Sequence, residues 1–446
     1  MRSLMRFWGL VVAVGVAVPA ATGCSNSVGT SGSTDTASST EATPAELADP
    51  RSVALESHPQ PQTFTSPARF TLPVPTAAPT PPVALFEQRA YVATTTEVKI
   101  IDMSTGEVSG HIEPESAATW GDFDVSPTAT LPPVSPDTST TSLEDMAEAV
   151  DSPLLTHIDG QPAVLTAFPV AEDADREVEL IAAQADTGEV MWRLRIDLPD
   201  AAGGAYLDIA GATGDTAMVN VGHPEAVATT HAVDLTEPAL AWSREDTWTM
   251  GVFGDTVAAT AIAPEDDQRS LVGLTVGEGE QRWSAPRSHT WLTAESAGPW
   301  LRVSHEAGSG STAARLVDIA TGSTTHTYDT GIADWMRCRY DGATVIVCSD
   351  KGSVLALDSV TGQTRWRIPE GTGEPIAAHM PQAWGGRVTA VADGLIYAEA
   401  DNGPVVLDAR TGATVEDAPG VAPFRVNAYV GLVSSGGEVS VHATTG

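Results

Sequence analysis

Val354-Leu355-Ala356-Leu357-Asp358-Ser359-Val360-Thr361-Gly362-Gln363-Thr364-Arg365-Trp366 decides how the rest of the chain is read. Its first five residues alternate as a strand does, with Val354, Ala356 and Asp358 on one face and Leu355 and Leu357 on the other. Asp358 can accept hydrogen bonds from N–H groups of the turn that follows, and Thr361 can do so more weakly. Gly362 takes positive φ without a Cβ clash and lets the chain reverse. Trp366 then falls on the returning strand, where a large ring fills the gap against a neighbouring sheet. The stretch predicts one β-hairpin and one packing anchor.

Partial copies recur along the chain. Asp102 and Gly106 keep the turn, with Gly110 in the tryptophan place. Gln184 stands for the aspartate ahead of Gly188 and Trp192. Asp234 and Trp242 keep the interval around Glu237-Pro238. Thr275, Gly279 and Trp283 form a looser copy. Asp318 and Gly322 are followed by His326, and Asp408 and Gly412 by Glu416. His442 begins a last copy that stops at Thr445-Gly446. From Gln184 onward the anchors step by 50, 41, 43, 40, 50 and 34 residues. A period near 40–45 with strand patterning predicts a β-propeller blade. Short Val/Ile/Thr-rich runs precede the copies, among them Thr216 to Val221 and Gly394 to Ala400, and no long amphipathic helix follows Val150. The expected class is all-β, an eight-bladed propeller of four-stranded antiparallel sheets. Seven blades would follow if the Thr275 copy were not a blade. A strand near Phe70 is expected to complete the last blade and close the ring.

Around this core the chain divides further. Arg2 and Arg6, the apolar run Phe7 to Val18 and the small residues Ala21-Thr22-Gly23 make residues 1–23 a signal peptide too short to span as an ordinary helix. Cys24 directly after them resembles a bacterial lipobox, which implies lipidation of Cys24 and a mature chain anchored to the membrane. Residues 24–60, rich in Ser, Thr, Ala and Pro, read as a disordered tether. A Pro-rich stretch, 61–82, includes the candidate closing strand, and 83–446 is the propeller. An insertion near 113–153 accounts for the 82-residue gap between Asp102 and Gln184.

The Val354 to Trp366 copy and its upstream partner Val345-Ile346-Val347-Cys348 resemble pyrroloquinoline quinone (PQQ) repeats, the blades of quinoprotein dehydrogenases and of many non-enzymatic relatives. The resemblance covers about residues 83–446. In the enzymes it implies a quinone against adjacent cysteines and a calcium ion held by carboxylates and an amide. This chain has only Cys24, Cys338 and Cys348, none adjacent. The expectation is therefore no PQQ cofactor and no catalytic residue. The relatives that fit better are exported lipoproteins that grip partner segments on a rim.

Other chemistry is sparse. Cys338 and Cys348 flank Asp341-Gly342, and in an oxidising exterior they are expected to form a disulfide. A two-residue Asp-Gly turn would not set them directly opposite, so a longer turn or a bulge is required. The ten histidines show no metal-ligand spacing, so no metal site is expected. Asp122, Asp124, Asp266 and Asp267 read as ordinary turn acids. Ser304-His305-Glu306 alternate across a strand and make no triad. Trp120, Trp248, Trp291, Trp300, Trp335 and Trp384 lie outside the anchor place, and some of them are candidates to line a rim or central channel. The net charge of −35, with 23 basic residues against 58 acidic, argues against nucleic acid. The expected function is a monomeric, non-enzymatic envelope lipoprotein that binds or scaffolds a protein or peptide. A PQQ-dependent dehydrogenase and a polysaccharide or small-molecule sensor are the alternatives.

Overall fold

The computed structural model describes residues 61–74, 81–118, 152–172, 175–198, 206–222, 228–263, 268–286, 292–307, 311–328, 336–349, 353–368, 386–400 and 402–445. Expectations for the signal peptide, Cys24, the tether and most of the insertion lie outside these residues, as do those for Asp122, Asp124, Asp266, Asp267, Trp120, Trp291, Trp335 and Trp384.

The described residues form strands β1 to β32 in chain order, arranged as eight four-stranded antiparallel sheets and no helix. Seven blades are continuous in sequence: 83–112, 154–197, 206–245, 247–284, 292–328, 337–368 and 387–416 (blades 1 to 7). The Thr275 copy lies in blade 4, so the count is eight. Blade 8 is composite. β30 (Arg425–Val426), β31 (Val430–Ser435) and β32 (Glu438–Ala443) are completed by β1 (Phe70–Leu72), which pairs antiparallel with β32 through Phe70↔Val441. The strand expected near Phe70 is β1. The ladder is extended by Phe64 opposite Thr444, and Thr65 N–H donates to Ala443 O at 2.8 Å. His442 pins the same segment through Nδ1 to Thr65 O, 2.8 Å.

The first strands of successive blades neighbour one another and ring the axis, while the fourth strands form the outer edges. Alternation along β24 (Val354–Asp358) explains how the ring holds. Val354 and Ala356 enter the core shared with blade 7, and Leu355 and Leu357 the core shared with blade 5. A strand buried on both faces loses apolar area to water twice, at about 25 cal/mol per Å². A core of this kind lies between every pair of neighbours round the ring.

The repeated turn behaves as its residues require. Asp358 Oδ1 accepts from Val360 N–H (3.1 Å) and Thr361 N–H (2.8 Å), and Gly362, at φ +66°, donates to Asp358 O. Burial is the largest single effect on the carboxylate and raises its pKa, but the hydrogen bonds from Thr361 and Arg365 and the Arg365 charge together outweigh it and hold the pKa below its ordinary value. Asp102, Asp234, Asp318 and Asp408 accept from their own turns in the same way. A bulge then shifts the pairing of the third and fourth strands in blades 1 to 7.

Each anchor tryptophan reaches from its own fourth strand to the next blade's turn. Trp192, Trp242, Trp283 and Trp366 donate from Nε1 to Leu235, Val276, Ile319 and Ala409 O, at 2.7–3.0 Å. In each case the acceptor directly follows the turn's Asp or Thr. The rings lie on turn glycines: a Cβ at Gly279 would meet Trp242 at 2.8 Å, and one at Gly322 would meet Trp283 at 2.6 Å.

Where the tryptophan place holds another residue, an aromatic side chain comes from elsewhere. Trp300, on the second strand of blade 5, donates to Ser359 O at 2.7 Å and lies against Gly362. Trp300, one of the tryptophans outside the anchor place, is therefore a joint anchor. Trp248 is buried on the first strand of blade 4. Tyr91 Oη donates to Ala185 O across the blade 1–2 joint, and Tyr397 Oη to Pro61 O at 2.8 Å across the 7–8 joint. At the last joint the Phe70 ring lies over Gly106.

Cys338 and Cys348 are disulfide-bonded and directly opposite in register. The required longer turn is present: Asp341 N–H donates to Val345 O, and the buried Asp341 carboxylate accepts from the N–H groups of Ala343, Thr344 and Val345.

Candidate functional site

The fifteen Asp, Gly and Trp positions of the repeat are thus consumed in turns and joints. Ser304, His305 and Glu306 lie along one strand, Trp300–Ala307, where Ser304 Oγ accepts from Arg302 Nη1 at 2.6 Å. What the fold leaves for binding is its outer edge and its inner strands.

The outer edge is an open ladder. β5 (Val108–Ile112), β9 (Val190–Asp197) and β13 (Ala239–Glu245) are the fourth strands of blades 1, 2 and 3, each paired on one side only. The bulge before them places Val108, Val190 and Leu240 at the same position, opposite Ile101, Ala183 and Val233. These three apolar side chains are 46%, 41% and 43% exposed. The same position holds Gln281, Thr324, Thr364 and Thr414 in blades 4 to 7. The row is confined to three consecutive blades.

Beside it, the start of the insertion lies on blade 2. Ala118 bridges Val170, and Glu115 N–H donates to the fully buried Glu179, which also accepts from Arg193 Nη1 at 2.5 Å. Arg193 Nη1 donates to Glu113 O, and Arg195 Nη2 to Ser116 Oγ. Charge-assisted bonds of this kind fix residues 113–118 against β9. Glu97, His111 and Glu113 also come together at the edge of blade 1, their ligand-type atoms within 4.8 Å of one another. Residue spacing gave no sign of this grouping, because a hairpin crossing brings Glu97 to His111. Glu97 is also paired with Lys99 Nζ at 3.5 Å.

The inner strands carry a concentration of positive charge. Arg337 and Arg339 lie on β22 (Arg337–Tyr340), Arg387 on β26 (Arg387–Ala392) and Arg425 on β30, the first strands of blades 6, 7 and 8. None of these strands contains an acid, and the first strands of blades 1 to 5 contain no Arg or Lys. In blade 5, Glu295 stands 3.4 Å from Arg302 Nε and 3.7 Å from Arg337 Nη1. Arg387 Nη2 meets Glu399 Oε2 at 3.3 Å. Arg339 reaches across the 6–7 joint, where Nη1 donates to Val388 O at 3.4 Å. Burial lowers its pKa, Glu295 opposes that shift, and Arg337 and Arg387 reinforce it. No local spacing in the sequence connects this group, whose members are spread over residues 337–425.

A quinone site of the quinoprotein design does not fit these residues. Its platform is a pair of adjacent cysteines, and Cys338 and Cys348 are instead joined across two strands, both buried.

The fold and its joints define an eight-bladed β-propeller built from PQQ-like repeats. Residues 309–442 match the family described as outer membrane protein assembly factor BamB. Among solved structures, BamB from Moraxella catarrhalis is 13% identical, with 85% of this chain and 99% of that one covered and a TM-score of 0.40. A quinohemoprotein alcohol dehydrogenase from Pseudomonas putida HK5 is 11% identical, with 86% and 76% covered and a TM-score of 0.44. No curated protein sequence matches the chain.

Proposed function

We propose that this chain is a non-catalytic propeller that binds or scaffolds a protein or peptide partner at the cell envelope. The observation that carries the reading is the open edge of blades 1 to 3, with Val108, Val190 and Leu240 in one row. An extended segment can add to such an edge through backbone hydrogen bonds and take its specificity from side chains at alternate positions. The similarity of residues 309–442 to a family described as an outer membrane assembly factor supports a polypeptide partner. Export through residues 1–23 and a lipid on Cys24 belong to the same reading, and a disulfide is at home in that oxidising compartment. No quinone or metal step is part of it.

The test is a photo-crosslinking side chain at position 240 in living cells, beside the same probe at position 415 on the edge of blade 7. A discrete envelope-protein adduct from position 240, reduced in a Cys24→Ala form, is the expected result. Equal labelling from both positions, or none, overturns the edge as the binding site.

A further inference from the structure

We propose that the innermost strands of blades 6, 7 and 8 form a binding site for a carboxylate group, with Arg339 at its floor and Arg337 and Arg387 at its sides. The chain carries 58 acidic residues against 23 basic ones, yet three successive inner strands bear four arginines and no acid. Arg337 and Arg339 are partly buried while Arg387 and Arg425 are exposed, so the group runs from the partly enclosed inner strand of blade 6 out to the surface, and a charge held away from water at its inner end needs a partner.

Arg339 states the requirement most sharply. A guanidinium offers five N–H donors in a fixed fork and keeps its charge under all ordinary conditions. Among the described residues its one hydrogen bond is to Val388 O, at 3.4 Å. The carboxylate whose charge acts on it, Glu295, is engaged by Arg302 and Arg337. Burial and two neighbouring guanidinium groups both disfavour its charge, and a planar carboxylate would relieve both at once. The rest of the surface selects among anions: with a net charge of −35 the chain repels an extended polyanion before contact. The ligand is therefore a small carboxylate or a single acidic side chain. This inference goes beyond the edge reading, and its test does not touch the edge.

Calorimetric titration of the purified full chain at low salt uses three probes: citrate, inorganic phosphate and a short neutral peptide bearing one glutamate. Citrate is expected to bind saturably at one site, with affinity falling as chloride rises. Arg339→Gln and Arg387→Gln should each weaken it at least tenfold. Arg282→Gln, at an exposed outer pair with Asp255, should leave it unchanged. Arg387 lies at the surface, so its variant keeps the test open should Arg339→Gln fail to fold. A peptide that binds tighter than citrate and is displaced by it assigns the site to a polypeptide's acid; citrate binding alone assigns it to a free small acid. Phosphate binding as tightly as citrate overturns the carboxylate assignment. Unchanged citrate affinity in both variants, or no saturable binding by any probe, overturns the site.

Discussion

The joint between blades 4 and 5 and the joint between blades 5 and 6 solve one packing problem from different strands. In the first, Trp283 comes from an outermost strand, lies on Gly322 and donates to Ile319 O. In the second, His326 occupies the equivalent place, and Trp300 from the second strand lies on Gly362 and donates to Ser359 O. Four joints follow the first pattern. The others use Tyr91, Trp300, Tyr397 or Phe70. What persists is the demand of the receiving turn: a glycine hollow to be filled, or a carbonyl oxygen to be met. The source of the ring is free to change.

If the rings carry the joints, Trp283→Ala should show the largest effect. It opens a cavity and removes a hydrogen bond, at about 3–5 kcal/mol, read as a shift in the urea midpoint. A value near that of a surface substitution would mean the ring merely covers the joint.

The joint between blades 2 and 3 gives the next effect, because it holds a buried histidine. His231 Nδ1 meets Ser243 Oγ at 2.8 Å, and burial pushes its pKa down from 6.5 to about 4. Its neutral form is favoured in the folded chain, so its contribution is complete above pH 6.5. As pH falls from 6.5 to 4 the unfolded chain takes the proton first, and about 3 kcal/mol is lost. His231→Gln should flatten the unfolding profile across that window; an unchanged slope would assign the pH dependence to other groups.

Glycine substitutions separate backbone conformation from close approach. Gly322 and Gly160 have nearly equal φ, +71° and +72°, but only Gly322 has a ring against it. Gly160→Ala should cost about 1 kcal/mol for the left-handed conformation alone. Gly322→Ala should cost at least twice that, and equal losses would show that the Trp283 ring yields freely. A comparably small effect, about 1–2 kcal/mol, is expected from Tyr91→Phe, which keeps the ring and strands Ala185 O. Finding it as costly as Trp283→Ala would mean the improvised joints depend on the hydrogen bond more than on the ring.

The same contrast separates what could be read in the sequence from what could not. An aspartate, a glycine and a tryptophan at fixed offsets lie within one hairpin, so local spacing revealed the blades and the anchors of four joints. Trp300 and Tyr91 serve the same purpose from a neighbouring strand, and no offset within one copy connects them to the turn they fill. The Cys338–Cys348 pairing was legible, but not the turn between them. Asp341 captures three successive N–H groups, which lengthens a turn that Asp-Gly alone would have kept to two residues. The inner arginines were least visible of all, because Arg339 and Arg387 lie on different blades and only the packing of blade 6 against blade 7 brings them together.

Closure also imposes a schedule. β1 must pair with β32, so residues 70–72 have no ladder to join until residues 439–441 exist. A chain made from its N-terminus therefore carries an unmatched strand through almost its entire synthesis, and blade 8 can form only at the end. Loop closure over such a separation is slow compared with the local hairpins of blades 1 to 7. The last strand thus completes the ring: a chain cut short before Glu438 leaves both residues 70–72 and β31 without the strand they pair with.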